Sequence, residues 1–530
     1  MKSITFTILL LLSIISFSQA QFPAYTFSNT GIDKGYFLFT PTDQNGMAPS
    51  SHYFAIMDYT GHLIYYFNGY SQATSSIINF SLFKNHLFSF YRGGKFFLAD
   101  SNFNVVDTIT ATSGYYNDPH DIQLLSNGNY IILAKELVTM DLSGFNLFTH
   151  TYSPGDSSAL VTCGVLQEFN PAGQLVWQWK TQDHFTFDEA HPFWLFAPDT
   201  LDWSHLNAVE EDLDGNILVS SRFFNEIFKV NHTTGNIMWR LGGSHNQFTF
   251  IGDSIPFKGQ HDIRVHPDGS YTLFDNGFFY PSHKAKAEQF LLDTVAYTAT
   301  FIRKVYAANF GFSGSRGNAQ FFNNGNVMID WGGMSNDNLV FSIVDSSNSE
   351  ICRLSFDDSL TSYRSYYYPE LPFQINQPEI SCFDSLGYTL LRAPEGYAKY
   401  MWSNGSTTSS IVVQAPDTVW VYVQSGTMEG MLSSKKFIVD GNTQCENFIP
   451  NYNSGLLKIF PNPTTDIVFV SGKMVSLIEI ENLLGQKVFN ETYSDSLMTR
   501  VISINNFSPS IYFIKIKTEE SDFIYKIEKF

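Results

Sequence analysis

A tight-turn dipeptide recurs along this chain at a spacing that few architectures accommodate. Asn127-Gly128, Asp214-Gly215, Asp268-Gly269 and Asn324-Gly325 each stand between two apolar or alternating runs. Asn-Gly and Asp-Gly suit the positive φ angles of a type I′ hairpin, so each is expected to join two adjacent antiparallel strands. A histidine precedes each of the first three: His120 in Pro119-His120-Asp121-Ile122, His205 in Ser204-His205-Leu206-Asn207, and His261 in Gln260-His261-Asp262-Ile263. His205 and His261 stand 56 positions apart, and Asn318 follows 57 later. A second piece also repeats. Val165 to Trp177 is similar to Ile227 to Trp239, each reading strand, polar turn with glycine, strand ending in tryptophan.

Together these pieces make a four-stranded unit repeated at near-constant period, which is the signature of a β-propeller. Residues 25 to about 370 hold roughly six such units. A large β-sandwich is the alternative, but a sandwich need not repeat. Composition agrees with strands: aromatic residues are 16% of the chain and charged residues only 15%. The net charge of -19 argues against a nucleic-acid partner or an anionic membrane surface.

The ends carry other signals. Lys2, the apolar run Ile8 to Phe17 and Ser18-Gln19-Ala20 read as a secretory signal peptide over 1–20. No later stretch is long enough for a transmembrane segment. Pro369, Pro372 and Pro378 mark a linker, and the short strands after it suggest an immunoglobulin-like sandwich over 371–448. Its Tyr400-Met401-Trp402-Ser403-Asn404-Gly405-Ser406 run resembles a module of secreted Bacteroidetes proteins, with Trp402 in the core. Cys163, Cys352, Cys382 and Cys445 form no CxxC and no zinc pattern. Cys382 pairs with Cys445 across that module or with Cys352 across its boundary.

A last segment, 449–530, runs from Phe460-Pro461-Asn462-Pro463 through Asn482-Leu483-Leu484-Gly485 to Ile511-Tyr512-Phe513-Ile514-Lys515 and a basic end. That order resembles the C-terminal sorting domain of the type IX secretion system. The resemblance implies carriage across the outer membrane by that machinery, then release or attachment at the surface. The whole reads as all-β: a six-bladed β-propeller over 21–370, the immunoglobulin-like β-sandwich, and a small C-terminal β-sandwich sorting domain.

A propeller gathers the loops at one end of its blades around the central channel, so His120, His205 and His261 are expected to converge there. Asn207, at His-x-Asn spacing, and Arg222, at the end of the same hairpin, join them. His62, His184, His191, His232, His245, His266 and His283 lack the repeated context and read as surface or core, His266 in a blade turn. Three imidazoles with one guanidinium suit two chemistries. Neutral imidazoles hold zinc, iron or copper. Alternatively, arginine and histidine donors neutralise a sulfate or phosphate while another histidine attacks its central atom.

Asp202-Trp203-Ser204-His205-Leu206-Asn207, Ser221-Arg222, Gly259-Gln260-His261-Asp262 and Phe274-Asp275-Asn276-Gly277 resemble the bacterial, nucleotide-independent arylsulfate sulfotransferases over residues 100–340. The resemblance implies ping-pong transfer of a sulfuryl group from a phenolic sulfate donor to a phenolic acceptor, with no cofactor. It makes His261 the nucleophile that becomes sulfohistidine. His205, Asn207, Arg222 and His120 then bind the sulfuryl oxygens, and His205 or His120 moves the proton. The amino-terminal dimerisation domain and close cysteine pair of the best-known members have no counterpart here. Phe193, Trp194, Phe223, Phe224, Phe278, Phe279 and Tyr280 flank the motifs, some placed to stack on an aryl ring and most to fill gaps between blades. A non-catalytic surface propeller that binds glycans or proteins, and a His-metal hydrolase or lyase, are the competing readings.

Overall fold

Strands and the turns between them make up nearly all of the described residues. A computed structural model describes residues 22–43, 53–69, 77–147, 153–194, 200–253, 257–278, 284–306, 313–333, 338–357, 360–385, 388–440, 443, 445–447, 457–472, 475–494, 499–518 and 522–529. The expected signal peptide, Phe279, Tyr280 and His283 lie outside the described residues, as does the side chain of Trp194.

Among the described residues six sheets follow one another around a β-propeller ring. Their inner strands are Ile78–Leu82, Tyr116–Leu124, Leu206–Glu211, His261–Val265, Asn318–Phe321 and Leu360–Tyr368. Each inner strand touches the next, and the last returns to the first, so the ring closes. The sixth sheet joins the two ends of this region: Leu360–Tyr368 pairs with Tyr36–Asp43, which leads on to Tyr53–Asp58 and Leu63–Asn68. Tyr25–Asn29 adds an outer strand to the fifth sheet. An apolar cluster lies between each neighbouring pair of sheets, as with Trp203 and Phe228 between the second and third and Phe54 and Phe80 between the sixth and first. Burying these faces is what drives flat sheets to stack radially.

The recurring turns differ in type from the sequence expectation. Gly128, Gly215, Gly269 and Gly325 have φ of 85°, 77°, 81° and 83°, but the Asn or Asp before each does not share the positive φ of a type I′ turn. Each glycine N–H instead donates to the carbonyl three residues back (Leu125, Asp212, His266, Phe322). Each Asn or Asp side chain accepts the N–H two residues on. This is a three-residue loop, a type I turn followed by a left-handed glycine. The Asx side chain supplies the extra bond that makes it favourable. His266 heads one of these turns, as expected.

The strands after residue 370 build onto the propeller edge. Gly430–Ser433 pairs antiparallel with Leu63–Asn68, so the sixth sheet continues through Val421–Ser425 to Tyr400–Trp402. Gly430 permits the close approach, since a Cβ there would collide with the Tyr65 hydroxyl. Trp402, Leu391 and Val423 share one core with Phe54 and Phe88 of the propeller. Ser381–Ser385, Tyr388–Arg392 and Ser410–Val413 form a second sheet, and Cys382 is bonded to Cys445, leaving Cys163 and Cys352 as buried thiols. Residues 458–529 make two further sheets packed about Val468, Ile478, Ile514 and Ile527.

Candidate active site

The three repeated histidines sit where three inner strands break register. In the second sheet the ladder shifts between Ile132 and Ala134, opposite the 118–121 segment that carries His120. In the third it shifts at Leu206/Ala208, beside His205, whose φ is 42°. In the fourth it shifts between His261 and Arg264, with Asp262 at φ 60°. Bulges re-aim side chains that a regular strand would send to alternate faces, and they cluster at functional sites. Here they turn the imidazoles toward one another. The rings of His120 and His205 lie 4.7 Å apart, edge to face, and His205 stacks on Phe223 at 4.6 Å.

These two histidines share one buried ion network. His120 Nδ1 contacts Asp118, and His205 Nδ1 lies 2.8 Å from Asp202 Oδ2. Lys135 Nζ bridges the carboxylates, at 3.2 Å from Asp118 and 3.4 Å from Asp202. Leu201–Asp202, paired in parallel with Val161–Thr162, delivers Asp202 to this point. Burial disfavours the charged form of both acids. Their partners outweigh it: the contacts with His120 and Lys135 hold Asp118 well below the usual carboxylate range, and those with Lys135 and His205 do the same for Asp202. Burial pushes His205 down to about 4 although Asp202 opposes it. His205 is therefore neutral at physiological pH, with Nδ1–H on Asp202 and its lone pair on Nε2.

His261 is set differently. It is 2% exposed, and its Nδ1 faces two neutral acceptors, Asn276 Oδ1 at 2.7 Å and the Gly259 carbonyl at 3.0 Å. The Asn276 amide is oriented by its own Nδ2–H, which donates to the Arg316 carbonyl at 3.0 Å. With two acceptors before it, Nδ1 carries the hydrogen and Nε2 keeps the lone pair. The Arg316 backbone N–H donates to that Nε2 at 3.2 Å, from a residue held at φ 67°. Burial, with Arg222 adding to it, drives the imidazole well below its ordinary pKa. His261 is a neutral, desolvated base.

Arg222 completes the group. Its Nη2 donates to the Gly314 carbonyl at 2.6 Å, and its guanidinium lies over Phe278 and Phe223 at 5.4 and 5.7 Å. Burial lowers its pKa to about 10, so it stays cationic. Asn207 is fully buried; its Nδ2 donates to the Gln260 carbonyl at 2.6 Å, next to His261, and its Oδ1 has no hydrogen-bond partner among the described residues. All five residues singled out in the sequence thus occupy one end of the ring. Of the flanking aromatics, Phe223 and Phe278 border the site, Phe224 is core and Phe193 is exposed. His62 bonds Ser433, His184 stacks on Trp179 and His232 pairs with Glu168, all apart from the cluster. Among the described residues no three His, Cys, Asp or Glu side chains are placed to hold a metal ion.

Five residues that support the site were given no role from the sequence: Asp118, Lys135, Asp202, Asn276 and Arg316, although Asp202 and Asn276 stand inside the quoted motifs. Two were within reach, since Asp118 and Asp202 stand two and three positions before their histidines. Beneath them lies a second network. Arg364 and Arg264 both bind Asp121, at 3.0 and 2.9 Å, and both reach Asp262, at 3.3 and 2.7 Å. Arg364 also donates to the Asn207 carbonyl at 2.7 Å.

A protein of unknown function from Bacteroides caccae aligns at 12% identity over 64% of this chain and 100% of its own, with a TM-score of 0.41. Virginiamycin B lyase from Staphylococcus aureus aligns at 12% identity over 69% of this chain and 94% of its own, with a TM-score of 0.32. Likeness at that level carries no information on function. No curated protein matches the chain. Residues 458–529 match the secretion system C-terminal sorting domain, which directs the protein through type IX export to the cell surface or beyond. Among the described residues no helix is long and apolar enough to cross a membrane. The stretch 36–366, well over half of the sequence and reaching into every inner strand of the ring, matches the arylsulfotransferase family, and to that family this chain belongs.

Proposed function

We propose that the protein is a secreted arylsulfate sulfotransferase that works by a ping-pong mechanism through a sulfohistidine at His261. The observation that carries this reading is the unlike pairing of the three imidazoles. His120 and His205 each rest on a carboxylate, the pairing of a group that gains and loses protons. His261 rests on an amide and a carbonyl, which leaves the lone pair on Nε2, where the Arg316 backbone N–H donates to it.

In the first half-reaction the Nε2 lone pair of His261 attacks sulfur and the bond from sulfur to the aryl oxygen breaks, its electron pair leaving on the phenolate. Arg222 neutralises charge on the sulfuryl oxygens. In the second, an acceptor phenol loses its proton to His205 Nε2 as its oxygen attacks sulfur, and the pair of the nitrogen–sulfur bond returns to His261. The imidazolium formed at His205 is stabilised by Asp202 and gives its proton to the leaving phenolate of the next cycle. Asn207 fixes the chain beside His261, and one amide hydrogen remains for a sulfuryl oxygen. His120, edge-on to His205, provides a second proton-handling group.

The test is incubation of the mature protein with 4-nitrophenyl sulfate, with and without phenol. Phenol-dependent release of 4-nitrophenolate and a sulfuryl mass gain on the peptide containing His261 are expected. A His261→Ala variant with full activity would remove the nucleophile assignment. Absence of release across a panel of acceptors would leave a binding propeller.

A further inference from the structure

The three site histidines differ in the partner of Nδ1, and this difference assigns a task to a residue outside the set considered so far. Asn276 lies at the end of Ser270–Asp275, the strand next to the one that begins with His261. It is fully buried, and both ends of its amide are committed: Oδ1 to His261 Nδ1, Nδ2 to the Arg316 carbonyl. At the equivalent place His120 has Asp118 and His205 has Asp202. An amide and a carboxylate fix the same tautomer, since both accept the Nδ1 hydrogen. They differ in charge, and charge decides how good a leaving group the imidazole is. When the nitrogen–sulfur bond has formed, the ring is a cation. A carboxylate on Nδ1 stabilises that cation and holds the sulfuryl group; a neutral amide does not.

We propose that Asn276 is the positioning residue that keeps the covalent intermediate labile, orienting His261 for attack at Nε2 while withholding the negative charge that would trap the sulfohistidine. The inference rests on His261 as nucleophile. Its bonds balance as above: with the amide, the returning electron pair finds a ring that readily reverts to neutral imidazole. The second contact of Asn276 serves the same end. By holding the Arg316 carbonyl, it presents the strained Arg316 N–H to His261 Nε2, where the donor is displaced once sulfur arrives and is then free to bind a sulfuryl oxygen.

The test is pre-steady-state kinetics of Asn276→Asp with 4-nitrophenyl sulfate and phenol. Expected is a burst of 4-nitrophenolate near one equivalent per site, then turnover slowed by about tenfold or more, because a carboxylate neighbour shifts a cation's pKa by roughly 1–3 units. Sulfurylated His261 accumulates in that variant, and KM for the donor falls with kcat. A burst also shows that the variant is folded. Asn276→Ala provides an independent arm, since Gly259 still accepts from Nδ1: both half-reactions slow and no intermediate builds up. Turnover of the Asp variant at the wild-type rate without a burst, or accumulation in the Ala variant, overturns the role of Asn276. Retained transfer in His261→Ala instead overturns the nucleophile, a separate outcome.

Discussion

Replacing Asp202 by Asn is expected to separate the two half-reactions of the proposed transfer. The carboxylate lies 2.8 Å from His205 Nδ1 and 3.4 Å from Lys135. Its loss weakens His205 as a base, because Asp202 is the group that opposes the effect of burial on that imidazole. At an effective dielectric near 20, a unit pair about 4 Å apart interacts by about 4 kcal/mol. Asp202 keeps 30% of its side chain exposed, so solvent screening brings the effect toward the range of a charge-assisted hydrogen bond, about 1.5–3 kcal/mol. That converts to a roughly ten- to hundredfold slower transfer to the acceptor. The first turnover begins from neutral His205, so 4-nitrophenolate leaves without a proton and the burst keeps its rate. Stopped-flow measurement of burst and steady-state phases reads both. The sign in pH is also fixed: His205 is neutral above about 4, so the wild-type acceptor step persists below the free imidazole range and is lost only as pH falls toward 4. A burst slowed as much as the steady state in Asp202→Asn would refute His205 as the base of the second step.

Arg222→Lys retains the charge but not the planar fork over Phe278, and kcat/KM for the sulfate donor is expected to fall roughly ten- to hundredfold in steady-state assays. Arg364→Ala leaves Asp121 and Asp262 with Arg264 as their remaining cation. Denaturant titration is expected to show a loss of about 3 kcal/mol, the low end for a broken buried ion pair. Cys382→Ser opens a link spanning 63 residues, worth about 4 kcal/mol on chain entropy; calorimetry should show a lower melting temperature with transfer activity at 25 °C unchanged. Truncation after residue 370 bares the Leu63–Asn68 edge and half of a shared core, and gel filtration should find aggregate, whereas truncation after 447 leaves a soluble, active protein.

The blade repeat was legible because a buried hairpin leaves two marks in one sequence, an Asx-Gly turn and the strands around it. Asp214-Gly215 and Asp268-Gly269 were read as turns for a sound reason but assigned the wrong type. The dipeptide does not say whether one or two residues take positive φ; the Asx side chain decides that by accepting the N–H beyond the glycine. His120, His205 and His261 were legible because the same repeat carried them. Asn276, quoted within Phe274-Asp275-Asn276-Gly277, and Arg316 carried no sign of their roles, because these are set across a hairpin and from the neighbouring sheet, 15 and 55 residues from His261. Lys135 looked like any strand lysine. Only the delivery of Asp202 from a parallel edge pairing makes it a bridge. The pairing of Gly430–Ser433 with Leu63–Asn68 was equally hidden, since a strand's unpaired edge has no sequence mark of its own.

The His-Asp dipeptides tie the geometry of the candidate site to the stability of the ring. In His120-Asp121 and in His261-Asp262 the histidine turns into the site at a bulge. The aspartate after it enters the buried network of Arg264 and Arg364. A bulge by itself is soft, and a wandering imidazole loses rate steeply with misplacement. Here each bulge is fastened one residue away from the functional ring by a buried carboxylate between Arg264 and Arg364, and Arg364 reaches the third strand through the Asn207 carbonyl. Those two arginines therefore set the mutual geometry of three strands drawn from three sheets. It follows that Arg364→Ala must misalign His120 and His261 together, so its loss of activity should exceed what its loss of stability alone accounts for.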